Sequence, residues 1–73
     1  MAEHRTIFTL EEARALRLMA RRLDLADEDD QKRLRDGMRG LGFYISDFEK
    51  AGSRFGLADF DRLIEEGRLK VRD

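Results

Sequence analysis

The run Thr9-Leu10-Glu11-Glu12 and the fifteen or so residues that follow it constrain this chain more than any other feature. Thr-x-x-Glu is a capping box, in which the Thr hydroxyl and the Glu carboxylate satisfy backbone donors that the first turn of a helix leaves open. Phe8 precedes it where a hydrophobic staple begins. From Leu10 to about Asp24, the apolar residues Ala13, Leu16, Met19, Ala20 and Leu23 recur on one face with a 3.6-residue period. The sequence therefore predicts an amphipathic helix, with Arg14, Arg17, Arg21 and Arg22 on the face opposite its apolar stripe.

The segment 25–30 reads as a turn that feeds a second helix. Its acids Asp27, Glu28, Asp29 and Asp30 complement the positive end of the helix dipole. Leu34, Met38 and Leu41 then form an i, i+4, i+7 stripe, and Lys32, Arg33, Arg35 and Arg39 follow the acids in the favourable order. Gly37 and Gly40 each weaken a helix by about 1 kcal/mol relative to Ala. Two glycines three apart suggest either the close approach of another backbone or an early fray, and Gly42 is placed to end the helix.

Beyond Gly42 the sequence nearly repeats itself with a twelve-residue offset. Residues 43–50 align with residues 55–62, matching Phe43 with Phe55, Asp47 with Asp59 and Phe48 with Phe60. Each unit reads as an aromatic anchor followed by a short helix, the first ending near Gly52 and the second near Gly67. Ser46 and Glu49 make a second capping box, whereas Ala58 replaces the Ser in the later unit, whose helix is expected to start at Gly56. After Gly67, Leu69 and Val71 alternate as in a strand, and residues 5–8 form the other β-prone run. The expected fold is mostly α: a compact bundle of three to four short helices, with a small two-stranded ribbon joining the N- and C-terminal segments. The expected core is Leu16, Met19, Leu23, Leu34, Met38, Leu41, Phe48, Phe60, Leu63 and Ile64.

Residues 1–73 are read as a single small domain. The absence of cysteine removes disulfides, thiol nucleophiles and cysteine-ligated zinc, so packing alone must hold the fold. No basic segment precedes an apolar run at the N-terminus, and no 18 apolar residues are contiguous. The expectation is a cytoplasmic chain without membrane attachment. Fifteen Lys and Arg against sixteen Asp and Glu leave no bulk positive field, so any contact with nucleic acid must rest on local charge placement.

Catalytic groups are scarce, and no catalytic residue, metal site or cofactor site is assigned. His4 has no partner at motif spacing, and a core or tail histidine is the simpler reading. Asp61 and Glu65 stand four apart, but Phe60, Leu63 and Ile64 mark the buried stripe and put the pair toward solvent, where nothing perturbs a carboxylate for acid/base work. The acidic run at 24–30 lacks the Gly and Glu spacing of an EF-hand loop. Phosphate-cradling glycine motifs and His-Glu-x-x-His are absent. Phe43, Tyr44, Phe48, Phe55 and Phe60 crowd one stretch and are assigned to the core, Tyr44 being the one expected to show a polar edge.

One surface stands out. Arg14, Arg17 and Arg21 share a narrow sector of the first helix, Leu18 and Leu25 project into the same sector, and Arg22 flanks it. An apolar anchor with a charged rim is the layout of a contact surface, although a solvated basic face with an ordinary exposed leucine has the same sequence. The leading expectation is a non-enzymatic interaction or adaptor module that uses Arg14, Arg17, Leu18, Arg21, Arg22 and Leu25 to bind a protein partner or a second copy of itself.

The alternative is a small DNA-binding regulator of helix-turn-helix or winged-helix type. The C-terminal order of helix, Gly and strand is similar to the end of a winged helix. The helix before that strand offers Asp59, Asp61, Glu65 and Glu66 against Arg62 alone, which repels phosphates. On this alternative the arginine face of the first helix takes the phosphates instead.

Overall fold

The computed structural model describes residues 3–49 and 54–72. In chain order the elements are strand β1 (Ile7–Thr9), helix α1 (Leu10–Leu23), helix α2 (Glu28–Gly40), a 3₁₀ turn (Ile45–Asp47), helix α3 (Leu57–Glu65) and strand β2 (Lys70–Arg72). The protein is mostly helical, and its two short strands join the terminal segments in a parallel ribbon that pairs Ile7 with Lys70, Phe8 with Val71 and Thr9 with Arg72. Both neighbouring helices, α2 and α3, pack against α1, and so does the ribbon.

The capping box forms as the sequence predicts. Glu12 N–H donates to Thr9 Oγ1 at 3.1 Å, and Thr9 N–H donates to Glu12 Oε1 at 2.9 Å. The same carboxylate takes a forked pair of bonds from the Arg5 guanidinium, at 2.7 and 3.0 Å, which fixes the angle at which the chain enters α1. Hydrogen bonding from Arg5, then from the Thr9 backbone, holds the Glu12 carboxyl down to about 2, and the same pair raises the Arg5 guanidinium. Because the folded value lies below the ordinary value of 4.5, the contribution of Glu12 to stability is complete above that value and fades as pH falls toward about 2. Glu12→Gln is therefore expected to lower the melting temperature at neutral pH, with the gap to wild type closing between about pH 4.5 and 2. A gap that stays constant over that range in pH-dependent thermal melts would refute this role.

Asp27 opens α2, accepting the Asp30 N–H at 2.9 Å. Two left-handed glycines end helices, Gly42 at φ +93° and Gly67 at φ +74°. Each closes a Schellman motif. Phe43 and Gly42 donate to Met38 and Arg39 carbonyls at the end of α2, and Arg68 and Gly67 donate to Leu63 and Ile64 carbonyls at the end of α3. At the start of α3, Asp59 accepts the Gly56 N–H, and the Asp24 carboxylate, reaching over from the end of α1, accepts the Leu57 N–H at 3.3 Å.

The core is built on Phe8, Leu16, Ala20, Leu23, Met38, Phe43, Phe55, Phe60, Leu63 and Leu69, all buried. Phe43 sits at its centre with Phe8, Phe48, Phe55 and Phe60 around it, at ring-centroid distances of 5.3–6.0 Å. Met19, Leu34, Leu41 and Phe48 pack against this centre from partly buried positions.

Three sequence expectations are corrected. Ile64 is on the exposed rim of α3, since a nine-residue helix turns only a narrow face, here Phe60 and Leu63, to the core. Ser46 and Glu49 form no capping box: residues 45–47 wind one 3₁₀ turn that follows Tyr44 without a side-chain cap. Gly37 and Gly40 meet no second backbone. A Cβ on Gly37 would touch the Met19 side chain at ordinary contact distance, and one on Gly40 would meet nothing. Gly52, the expected end of the first repeat unit, lies outside the described residues.

Candidate partner-binding face on α1

Burial of Ala13, Leu16, Ala20 and Leu23 fixes the rotation of α1, and the opposite sector faces outward. Leu18 stands near the middle of that sector and is 50% exposed. Arg14 and Arg21 lie four residues before it and three after it, which places all three on one line along the helix. Leu10, at the start of α1, adds a further exposed leucine to this face. Among the described residues, Arg14, Arg21 and Arg22 make no ion pair or side-chain hydrogen bond.

Arg17 differs from its neighbours. Its Nε and Nη2 donate to the two carboxylate oxygens of Asp61 on α3 at 3.1 and 3.2 Å, a fork that bridges the two helices at their solvent edge. Arg17 is thus the boundary of the face, with its charge answered inside the protein. Both partners are substantially exposed, so the bridge contributes at most about 1 kcal/mol.

Leu25 lies two residues beyond the end of α1, in the turn to α2, and is 90% exposed, the most exposed large apolar side chain described. It borders a groove of about 380 Å³ lined by Arg22, Leu25, Ala26, Asp30, Arg33 and Leu34. The structure therefore joins the sequence-predicted residues into one face with two parts: a line of Arg14, Leu18 and Arg21 along α1, and a corner of Arg22 and Leu25 at its end. Arg33 and Leu34 escape sequence reasoning as surface residues, because their contribution depends on how α2 folds back over the turn. Leu10 was legible as an exposed position from its spacing to Leu18.

Elsewhere, His4 Nδ1 lies 2.6 Å from Asp47 Oδ2, and the His4 ring stacks on Tyr44 with centroids 3.7 Å apart and planes 4° off parallel. Together with the Arg5 N–H to Gly42 carbonyl bond, this ties the chain before β1 to the segment after α2. On α3, Asp59 is engaged with Gly56 and with Arg62 at 3.6 Å. Among the described residues, no group of three or more His, Cys, Asp or Glu side chains could hold a metal ion, and no helix is long and apolar enough to cross a membrane. Comparison with protein-family models, with characterised proteins and with solved structures finds no match.

Proposed function

We propose that this protein is a non-enzymatic interaction module that docks another protein on the outward face of α1, through Arg14, Leu18, Arg21, Arg22 and Leu25, with Arg17 at the edge. The observation that carries the reading is that two exposed leucines stand beside Arg14, Arg21 and Arg22, which have no acidic partner among the described residues. Apolar side chains ringed by unanswered charge give an interface a desolvating centre and a rim that selects acidic surroundings. A phosphate backbone uses the arginines but gains nothing from desolvating Leu18 and Leu25, and the Arg17 charge is already neutralised by Asp61. These features favour a protein surface over DNA.

A photoreactive residue in place of Leu18, introduced in producing cells, is expected to yield a discrete protein adduct that the same residue in place of Glu66 does not. Arg14→Glu with Arg21→Glu is expected to reduce that adduct about tenfold or more. The positions are exposed, so circular dichroism should be unchanged. Adducts equal at both positions, or indifferent to the charge reversal, would overturn the proposal. An amide NMR titration with a mixed-sequence DNA duplex separates the alternative, since localised shifts over residues 14–25 that vanish as salt rises would assign the face to phosphates.

A further inference from the structure

The corner at the end of α1 is not uniformly basic, and this sets it apart from the line of Arg14, Leu18 and Arg21. Arg22, Arg33 and Asp30 line the groove with Leu25, and Glu28 and Asp29 are exposed in the same first turn of α2 as Asp30. None of these five side chains forms an ion pair among the described residues. An acidic partner approaching this corner is attracted by the arginines and repelled by the three carboxylates. The corner is also apolar at its centre: Leu25, 90% exposed, lines the groove together with Ala26 and Leu34.

A surface that carries both signs of charge around an exposed apolar side chain can set its charges against those of a second copy across a two-fold axis. We infer that the Leu25 corner joins two copies of this chain in an isologous dimer, with Leu25 of each copy seated in the Ala26–Leu34 groove of the other and Arg22 and Arg33 of each facing Asp29 and Asp30 of the other. The inference rests on the proposed α1 face and divides it: the Arg22 and Leu25 corner takes a second copy of this chain, and the Arg14, Leu18 and Arg21 line takes the other protein. It leaves the Arg14, Leu18 and Arg21 line of each copy free, so a dimer presents that line twice. A standard interface takes roughly 800 Å² from each partner, a large share of a total surface of 5300 Å². The small apolar centre here therefore makes an association that is weak and dependent on concentration.

Sedimentation equilibrium of the full chain over about a hundredfold range of concentration is expected to show a mass that rises from monomer toward dimer. Leu25→Asp, at a position too exposed to disturb the core, is expected to weaken dimerisation about tenfold or more, and Leu18→Glu to leave it unchanged. A charge exchange tests the pairing itself. The variant Arg22→Glu with Arg33→Glu, and separately Asp29→Arg with Asp30→Arg, should each dimerise poorly alone, while an equal mixture of the two recovers a heterodimer. A chain that stays monomeric throughout, a dimer indifferent to Leu25→Asp, or folded charge variants whose mixture does not recover would each overturn the inference. A monomer that still gives the Leu18 adduct would remove the dimer and keep the α1 face, whereas a dimer without that adduct would do the reverse.

Discussion

Phe43→Ala is expected to remove a large fraction of the stability of this protein. Phe43 is fully buried and touches aromatic rings from every side of the core: Phe8 of β1, Phe48 after the 3₁₀ turn, Phe55 before α3 and Phe60 within it. It is also the residue whose N–H completes the cap of α2 by bonding to the Met38 carbonyl. Truncation of a buried Phe to Ala costs about 3–5 kcal/mol. A chain of this length has a total of only about 4–11 kcal/mol to lose, from roughly 0.05–0.15 kcal/mol per residue. The cavity lies where four separate segments meet, so no single segment can move in to fill it. Urea unfolding followed by circular dichroism should show a midpoint lowered in proportion to a loss of about 3–5 kcal/mol for Phe43→Ala, and a smaller loss for Phe43→Leu, which restores volume without the ring contacts. A loss under about 1 kcal/mol for the alanine variant would mean that the aromatic cluster collapses around the gap and is not a fixed hub.

That hub also marks the limit of what the sequence makes legible. Helix α1 can be read almost to the residue, because its cap, its period and its charge order are all local to the fifteen residues concerned. The ends of α2 and α3 are legible for a similar reason, since only a left-handed residue completes a Schellman motif and Gly42 and Gly67 stand at the required positions. The segment around Ser46 is different. Its capping-box pattern is outweighed by contacts outside that pattern: Phe48 stacks on the buried Phe43, and Asp47 is engaged by His4, 43 residues away. One tight turn satisfies both, and an α-helix starting at Ser46 is not formed. Arg17 shows the same limit on the surface. Its spacing makes it the equal of Arg14 and Arg21, and only the packing of α3 on α1 brings Asp61 within reach, 44 residues away. The candidate face was thus legible as a set of residues, while the division into a free line, an answered edge and a mixed-charge corner depends on how α2 and α3 fold back.

Gly42 and Gly67 offer a second large effect with a built-in control. Both occupy the left-handed region at the C′ position of a helix, at φ +93° and +74°, so alanine at either site carries the left-handed penalty of about 1–2 kcal/mol. At Gly67 a Cβ would meet nothing within 4 Å, and Gly67→Ala is expected to cost about that penalty and no more. At Gly42 the Cβ would lie 2.7 Å from the Glu3 carbonyl oxygen and 2.7 Å from Arg5 Cδ. Neither neighbour can yield cheaply. The Arg5 N–H is bonded to the Gly42 carbonyl at 2.8 Å, and the Arg5 guanidinium is forked onto Glu12 and lies 4.9 Å from the centre of the Phe8 ring. Gly42→Ala must therefore push the chain before β1 off the end of α2, adding about 1–3 kcal/mol of overpacking to the backbone penalty. The His4–Asp47 contact and the His4–Tyr44 stack lie on the same strap and should loosen with it. The expected result is a drop in unfolding free energy for Gly42→Ala at least about twice that for Gly67→Ala, with altered chemical shifts at His4 and Tyr44 in the first variant only. Equal losses for the two variants would show that the strap gives way freely, and the N-terminal segment would then have no part in fixing the corner between α2 and the 3₁₀ turn.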